Sequence, residues 1–153
     1  MDTSPENTTK RFVPVLSISP AAEDHCALES ILRHVQSVIQ PNRTFTVHTC
    51  ATFAAGLRAI SRRECKVVVC EQDLQPGSWR EVLEQAFILP DPPPLIVTSR
   101  LADERLWAEA LNLGAFDVLA KPFDRMETMR VVDAAWRAFG GPQRLPARRE
   151  RYK

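Results

Sequence analysis

Short, nearly continuous apolar runs alternate along this chain with longer stretches in which apolar residues recur every three or four positions. The runs are Phe12 to Ile18, Phe45 to Cys50, Val67 to Cys70, Leu95 to Thr98 and Phe116 to Ala120. Each has the length of a buried strand, and Phe45 to Cys50 is rich in β-branched residues. The first periodic stretch follows Ser19-Pro20, a pair with the chemistry to start a helix, and places Leu28, Ile31, Leu32 and Val35 at i, i+3, i+4 and i+7. Pro41-Asn42 interrupts it. Phe53 to Ile60 reads as a short helix containing Gly56, and Trp79 to Leu89 as a helix ended by Pro90-Asp-Pro-Pro-Pro94. Asp103 to Leu113 is expected to line one side with Leu106, Ala110 and Leu113, with Gly114 supplying a left-handed stop. Asp124 caps a last helix whose stripe is Met129, Val132, Trp136 and Phe139, and Gly140-Gly-Pro142 ends it.

Five apolar strands alternating with five helices predict an α/β domain with a doubly wound, five-stranded parallel sheet covered on both faces. Ligands and chemistry in such sheets lie beyond the carboxyl ends of the strands. That rule singles out Ser19, Glu71, Ser99 and Lys121.

With 153 residues, 44% of them hydrophobic, the chain suits one domain. The expected division is a disordered N-terminal tail over 1–11, a domain over 12–139 and a basic tail over 140–153. A formal net charge of +1 gives no global field to draw nucleic acid or anionic lipid. There is no apolar run of about 18 residues and no apolar core of a signal peptide near Met1, so no membrane contact and a cytoplasmic location are expected. Cys26, Cys50, Cys65 and Cys70 form no Cys-x-x-Cys pair and read as small core residues. A metal site from His48, Cys50, Cys65 and Cys70 matches no zinc spacing.

Three segments carry a resemblance: Lys66-Val-Val-Val-Cys-Glu-Gln-Asp-Leu-Gln-Pro-Gly-Ser-Trp79, Pro94-Leu-Ile-Val-Thr-Ser99 and Gly114-Ala-Phe-Asp-Val-Leu-Ala-Lys-Pro-Phe123. In order and spacing they resemble the response-regulator receiver domain of two-component signalling, and Lys121-Pro122-Phe123 is the most specific element. The resemblance covers roughly residues 12–139 and implies a flavodoxin-like (βα)5 receiver fold. It also implies a pocket in which two acidic residues hold Mg²⁺, an aspartate accepts phosphate from a histidine kinase, and a hydroxyl and a lysine before a cis proline complete the site.

The chain departs from that pattern. The acidic pair falls on Ser19 and Pro20, so Mg²⁺ binding is expected to be weak or absent. Glu23 and Asp24 lie just beyond; they either reach the pocket or, more simply, serve as favourable charges at a helix N-terminus. The acceptor position falls on Glu71 when counted from the strand and on Gln72 when counted from Pro76, and Asp73 is read as a turn residue. Glu71 is expected to pair with Lys121 and accept a hydrogen bond from Ser99, either in imitation of a phosphorylated state or as a structural ion pair. Lys121-Pro122 suits a cis bond that aims the lysine inward, or a trans turn into the last helix. Val118 stands where the family carries its switch aromatic.

The expected function is thus a stand-alone, degenerate receiver (a pseudo-receiver) that takes part in a phosphorelay pathway by protein interaction. Its expected partners are a histidine kinase, a downstream regulator or a second copy docking through the fourth and fifth helices. One alternative is a working regulator phosphorylated on an atypical carboxylate. The other, an α/β enzyme with an unrecognised site, finds no glycine-rich loop after the first strand and no Gly-x-Ser-x-Gly motif. His25 and His34 are expected on a solvated helix face. Trp136 belongs to the apolar stripe, and Trp107 is either buried or the anchor of an interface. The tail's Arg144, Arg148, Arg149, Arg151 and Lys153 are read as solvated charge rather than a nucleic-acid site.

Overall fold

The computed structural model describes residues 11–39 and 43–140, without the side chains of 34–39, 139 and 140. The alternation of apolar runs and helical stretches becomes β1 (Arg11–Ile18), α1 (Ala22–Ile39), β2 (Arg43–Cys50), α2 (Phe53–Ser61), β3 (Val67–Glu71), α3 (Trp79–Ile88), β4 (Leu95–Ser99), α4 (Glu104–Leu113), β5 (Asp117–Ala120) and α5 (Arg125–Ala135). A π-helical turn, Trp136–Gly140, continues α5. The expectations for Val35, His34, Phe139 and both tails lie wholly or largely outside the described residues.

All five strands are parallel, in the order β2-β1-β3-β4-β5. Successive side chains of a strand point to opposite faces, so one sheet builds two cores. Val13 and Val15 of β1, Val67 and Val69 of β3, Ile96 of β4 and Leu119 of β5 pack under α1 and α5, against Leu28, Leu32, Met129 and Val132. Leu16, Ile18, Val68, Cys70, Val97 and Val118 face α2, α3 and α4, against Ile60, Trp79, Val82, Leu106 and Ala110. Gly56 lets α2 approach β1, since a Cβ there would lie 2.6 Å from Ile18 Cδ1.

Helix starts follow local hydrogen bonding. Thr52, Ser78, Asp103 and Asp124 each accept a bond from the backbone N–H three residues on. Gly114 ends α4 at φ +101. Three expectations change here, for Ser19, for Leu113 and for the cysteines, which are not all core residues. Ser19 does not cap α1: the helix starts at Ala22, and the Ser19 hydroxyl accepts from Ala21 N–H and turns toward the pocket. Leu113, the last residue of α4, is 47% exposed, while Leu106 and Ala110 are buried. Of the cysteines, Cys65 and Cys70 are core residues, Cys50 is half-buried and Cys26 is exposed on α1. Burial pushes the Cys65 and Cys70 thiols up to about 12. Among the described residues no helix is long and apolar enough to cross a membrane.

Candidate functional site

The strand order reverses between β1 and β3, since β2 lies on one side of β1 and β3 to β5 on the other. The crevice beyond the carboxyl ends of these strands is the place where a doubly wound sheet holds its site. Ser19 follows β1, Glu71 ends β3, Thr98 and Ser99 end β4, and Lys121 follows β5.

Strand parity sorts these side chains. Glu71 shares a face with Val67 and Val69, Thr98 with Ile96, and Lys121 with Leu119; all three point toward the α1/α5 layer. There the Glu71 carboxylate forms an ion pair with Lys121 Nζ. Its Oε2 accepts a hydrogen bond from Thr98 Oγ1 at 3.1 Å, and its Oε1 accepts the Asp73 N–H at 3.3 Å. Ser99 is one residue out of phase. Its hydroxyl donates to Gln72 Oε1 at 2.6 Å and accepts from Leu101 N–H at 3.0 Å. The expected Ser99 bond to Glu71 is therefore corrected: the register sets Glu71 beside Thr98, and a shift of one position turns a side chain to the other face.

The first turn of α1 closes the pocket from above. Asp24 is buried, with Oδ2 2.8 Å from Lys121 Nζ and 2.7 Å from the Ser19 hydroxyl that donates to it. The simpler expectation, a solvated charge at the helix N-terminus, is overturned for Asp24 and holds for the exposed Glu23. The reason is again position: α1 lies over the face to which Ser19 and Lys121 point. His25 is likewise not on a solvated face. Its Nε2 donates to the Ser19 carbonyl oxygen at 3.0 Å, and its Nδ1 lies 2.8 Å from Ser17 Oγ.

Side-chain exposures of 9% for Lys121, 7% for Glu71 and 11% for Asp24 make this a buried triad of two carboxylates and one ammonium. Burial acts to lower the Lys121 pKa, but its hydrogen bonds to Asp24 and Glu71 and the attraction of both charges outweigh that and hold it above its ordinary value. The lysine stays charged. Pro20 is exposed at the rim, and Lys121–Pro122 is cis, as is Gln75–Pro76. Val118 is fully buried beside the α2–α4 layer. Trp107 is 36% exposed, so burial of its ring is overturned, whereas Trp136 is buried.

A hard divalent cation takes six or more oxygen ligands, carboxylates prominent among them. Ser19 and Pro20 supply no carboxylate, and both carboxylates that do reach the pocket are engaged by Lys121. The residues present do not fit a resident Mg²⁺. Among the described residues no group of three or more His, Cys, Asp or Glu side chains converges, the His48 and cysteine set included. Sequence reasoning held pocket contact by Asp24 as the less simple alternative and missed the roles of Thr98 and His25. The parity of Thr98 was open to detection; the docking of α1 over the pocket was not.

Solved structures share this fold at low identity. A protein described as a response regulator from Chloroflexus aurantiacus superposes with a TM-score of 0.70 at 19% identity, over 82% of this chain and 98% of that one. A two-component response regulator from Clostridium difficile gives 0.68 at 15%, over 84% and 99%. The response regulator domain of Thermotoga maritima CheB gives 0.66 at 18%, over 87% and 100%. No curated protein matches. The sequence itself matches the response regulator receiver domain over residues 21–133, and with a five-stranded parallel flavodoxin-like sheet around that segment, this chain belongs to the response regulator receiver domain family.

Proposed function

We propose that this receiver domain works without phosphorylation, as an interaction module in a two-component pathway whose pocket is permanently filled by its own side chains. The observation that carries this reading is the Lys121 ammonium, shared by the Glu71 and Asp24 carboxylates. Phosphoryl transfer depends on cations that neutralise charge developing on the phosphate. In this pocket the lysine is already neutralised twice over, and the acceptor position carries glutamate. Glu71 brings about −1 against roughly −1.5 to −2 for a phosphate, and it holds Lys121 and Thr98 together from β3. The sheet side of the pocket, from β3 to the end of β5, is thereby fixed in one arrangement. The reading assigns the domain weak or no Mg²⁺ binding, no turnover of its own and a cytoplasmic location.

Its partners on this reading are signalling proteins, a histidine kinase or a downstream regulator, or a second copy. Trp107 and Leu111, one turn apart on α4 and exposed by 36% and 42%, offer apolar surface for contact through α4 and α5. The test is intact mass and Trp fluorescence with acetyl phosphate or beryllofluoride, with and without Mg²⁺, on wild type and Glu71→Asp. The folded wild type is expected to gain no mass and show no change in emission. A Mg²⁺-dependent adduct on the wild type would overturn the proposal and make this a regulator phosphorylated on an atypical carboxylate.

A further inference from the structure

The two carboxylates on Lys121 are not equivalent. Glu71 sits on the rigid end of β3 and is tied by Thr98 Oγ1 and the Asp73 N–H as well as by the lysine. Asp24 sits on the first turn of α1 and is held through Oδ2 alone, by Lys121 and the Ser19 hydroxyl. Glu71 and Lys121 together are already neutral, so Asp24 is the surplus charge in a buried site, and its departure leaves no unpaired ammonium behind. It is also the side chain that joins α1 to the end of β5, 97 residues away in sequence.

We propose that Asp24 is a latch: its contact with Lys121 clamps the first turn of α1 over the pocket, so that occupancy of the lysine and the position of that turn are one coupled device. When Asp24 lets go, the first turn of α1 loosens while the sheet and the Glu71–Lys121 pair stay intact. His25 is drawn into the same element, since its ring bridges Ser17 and the Ser19 carbonyl from the adjacent position on that turn. The inference rests on the proposed reading that the pocket is closed without phosphate, and it assigns the regulation of that site to α1.

The test is amide hydrogen exchange on the full chain. In Asp24→Asn the amides of residues 24–28 are expected to exchange at least tenfold faster than in wild type, with β3 and β4 unchanged. Lys121→Met is expected to speed the same amides, although it lies on the far side of the pocket, and Asp24→Asn/Lys121→Met to add nothing beyond either single change. Glu71→Gln is expected to leave them slow, because Asp24 keeps its lysine. Should Lys121→Met fail to fold, with two carboxylates left facing each other, the double variant, which retains only Glu71, carries the comparison. Unchanged exchange at 24–28 in folded Asp24→Asn, or equal loosening by Glu71→Gln, would overturn the latch. Neither result depends on whether the wild type accepts phosphate, so failure here is distinct from failure of the proposed function.

Discussion

Replacing Lys121 by Met removes the ammonium that pairs with both carboxylates and leaves Glu71 and Asp24 buried together. Methionine fills a similar volume with an apolar chain, so the change isolates charge and hydrogen bonding rather than packing. Two contacts are lost, to Asp24 at 2.8 Å and to Glu71, between side chains exposed by 7% to 11%. Removing one partner of a buried pair costs about 3–5 kcal/mol, because the remaining charge is left without compensation. Here two charges remain, which puts the expectation toward the upper end. Against a total stability of roughly 5–15 kcal/mol this is a large fraction. For a domain of this size it corresponds to a Tm lower by roughly 6–20 °C, at about 2–4 °C per kcal/mol. Urea unfolding followed by emission of the buried Trp79 and Trp136 measures it. The dependence on pH has a definite sign. A lysine whose pKa is raised by folding stabilises the chain fully below its ordinary value of 10.5 and loses that contribution as pH rises through the raised value. The gap between wild type and variant is therefore constant on the approach to pH 10.5 from neutrality and narrows above it. A loss under 1 kcal/mol at pH 7, or a gap that widens in alkali, would refute the view that the triad is a buried, charged element of the fold.

Two further outcomes follow from local geometry. Gly114→Ala places a Cβ at φ +101 and 2.8 Å from the Phe87 ring, which is half exposed and able to move, so the cost is set by the backbone at about 1–2 kcal/mol and is read as a drop in Tm of roughly 2–8 °C. No drop would mean that the turn accepts a different backbone. Alkylation of the native protein at pH 8, followed by intact mass, is expected to give rapid modification of the exposed Cys26. The Cys65 and Cys70 thiols, pushed up to about 12 by burial, resist until the chain is denatured. Labelling of either core thiol as fast as Cys26 would show that the α2–α4 layer opens readily.

How much of this was legible in the sequence varies from element to element for physical reasons. Val67-Val-Val-Cys70 is apolar at every position, and such a run forces burial on both faces, hence a central parallel strand. Gly114 and Asp124 act through their own backbone or the next turn, so their roles as stop and cap were readable locally. The terminal lysine and glutamate were placed by strand ends, which the pattern also fixes to within a residue. That residue mattered for Ser99: the pattern located the end of β4, but pairing with β3 decided that Thr98 meets Glu71 and that Ser99 meets Gln72.

What the chain determined by itself was periodicity: which stretches are strands and helices, that the sheet is covered on both faces, and that carboxylate and ammonium end up at its carboxyl edge. Tertiary structure alone decided that Asp24 and His25 belong to the pocket. An acidic residue in the first turn of a helix is favourable wherever that helix lies. Only the docking of α1 over the face shared by Ser19, Glu71, Thr98 and Lys121 turns that charge inward, and Asp24 meets Lys121 because the fold brings together residues 97 positions apart.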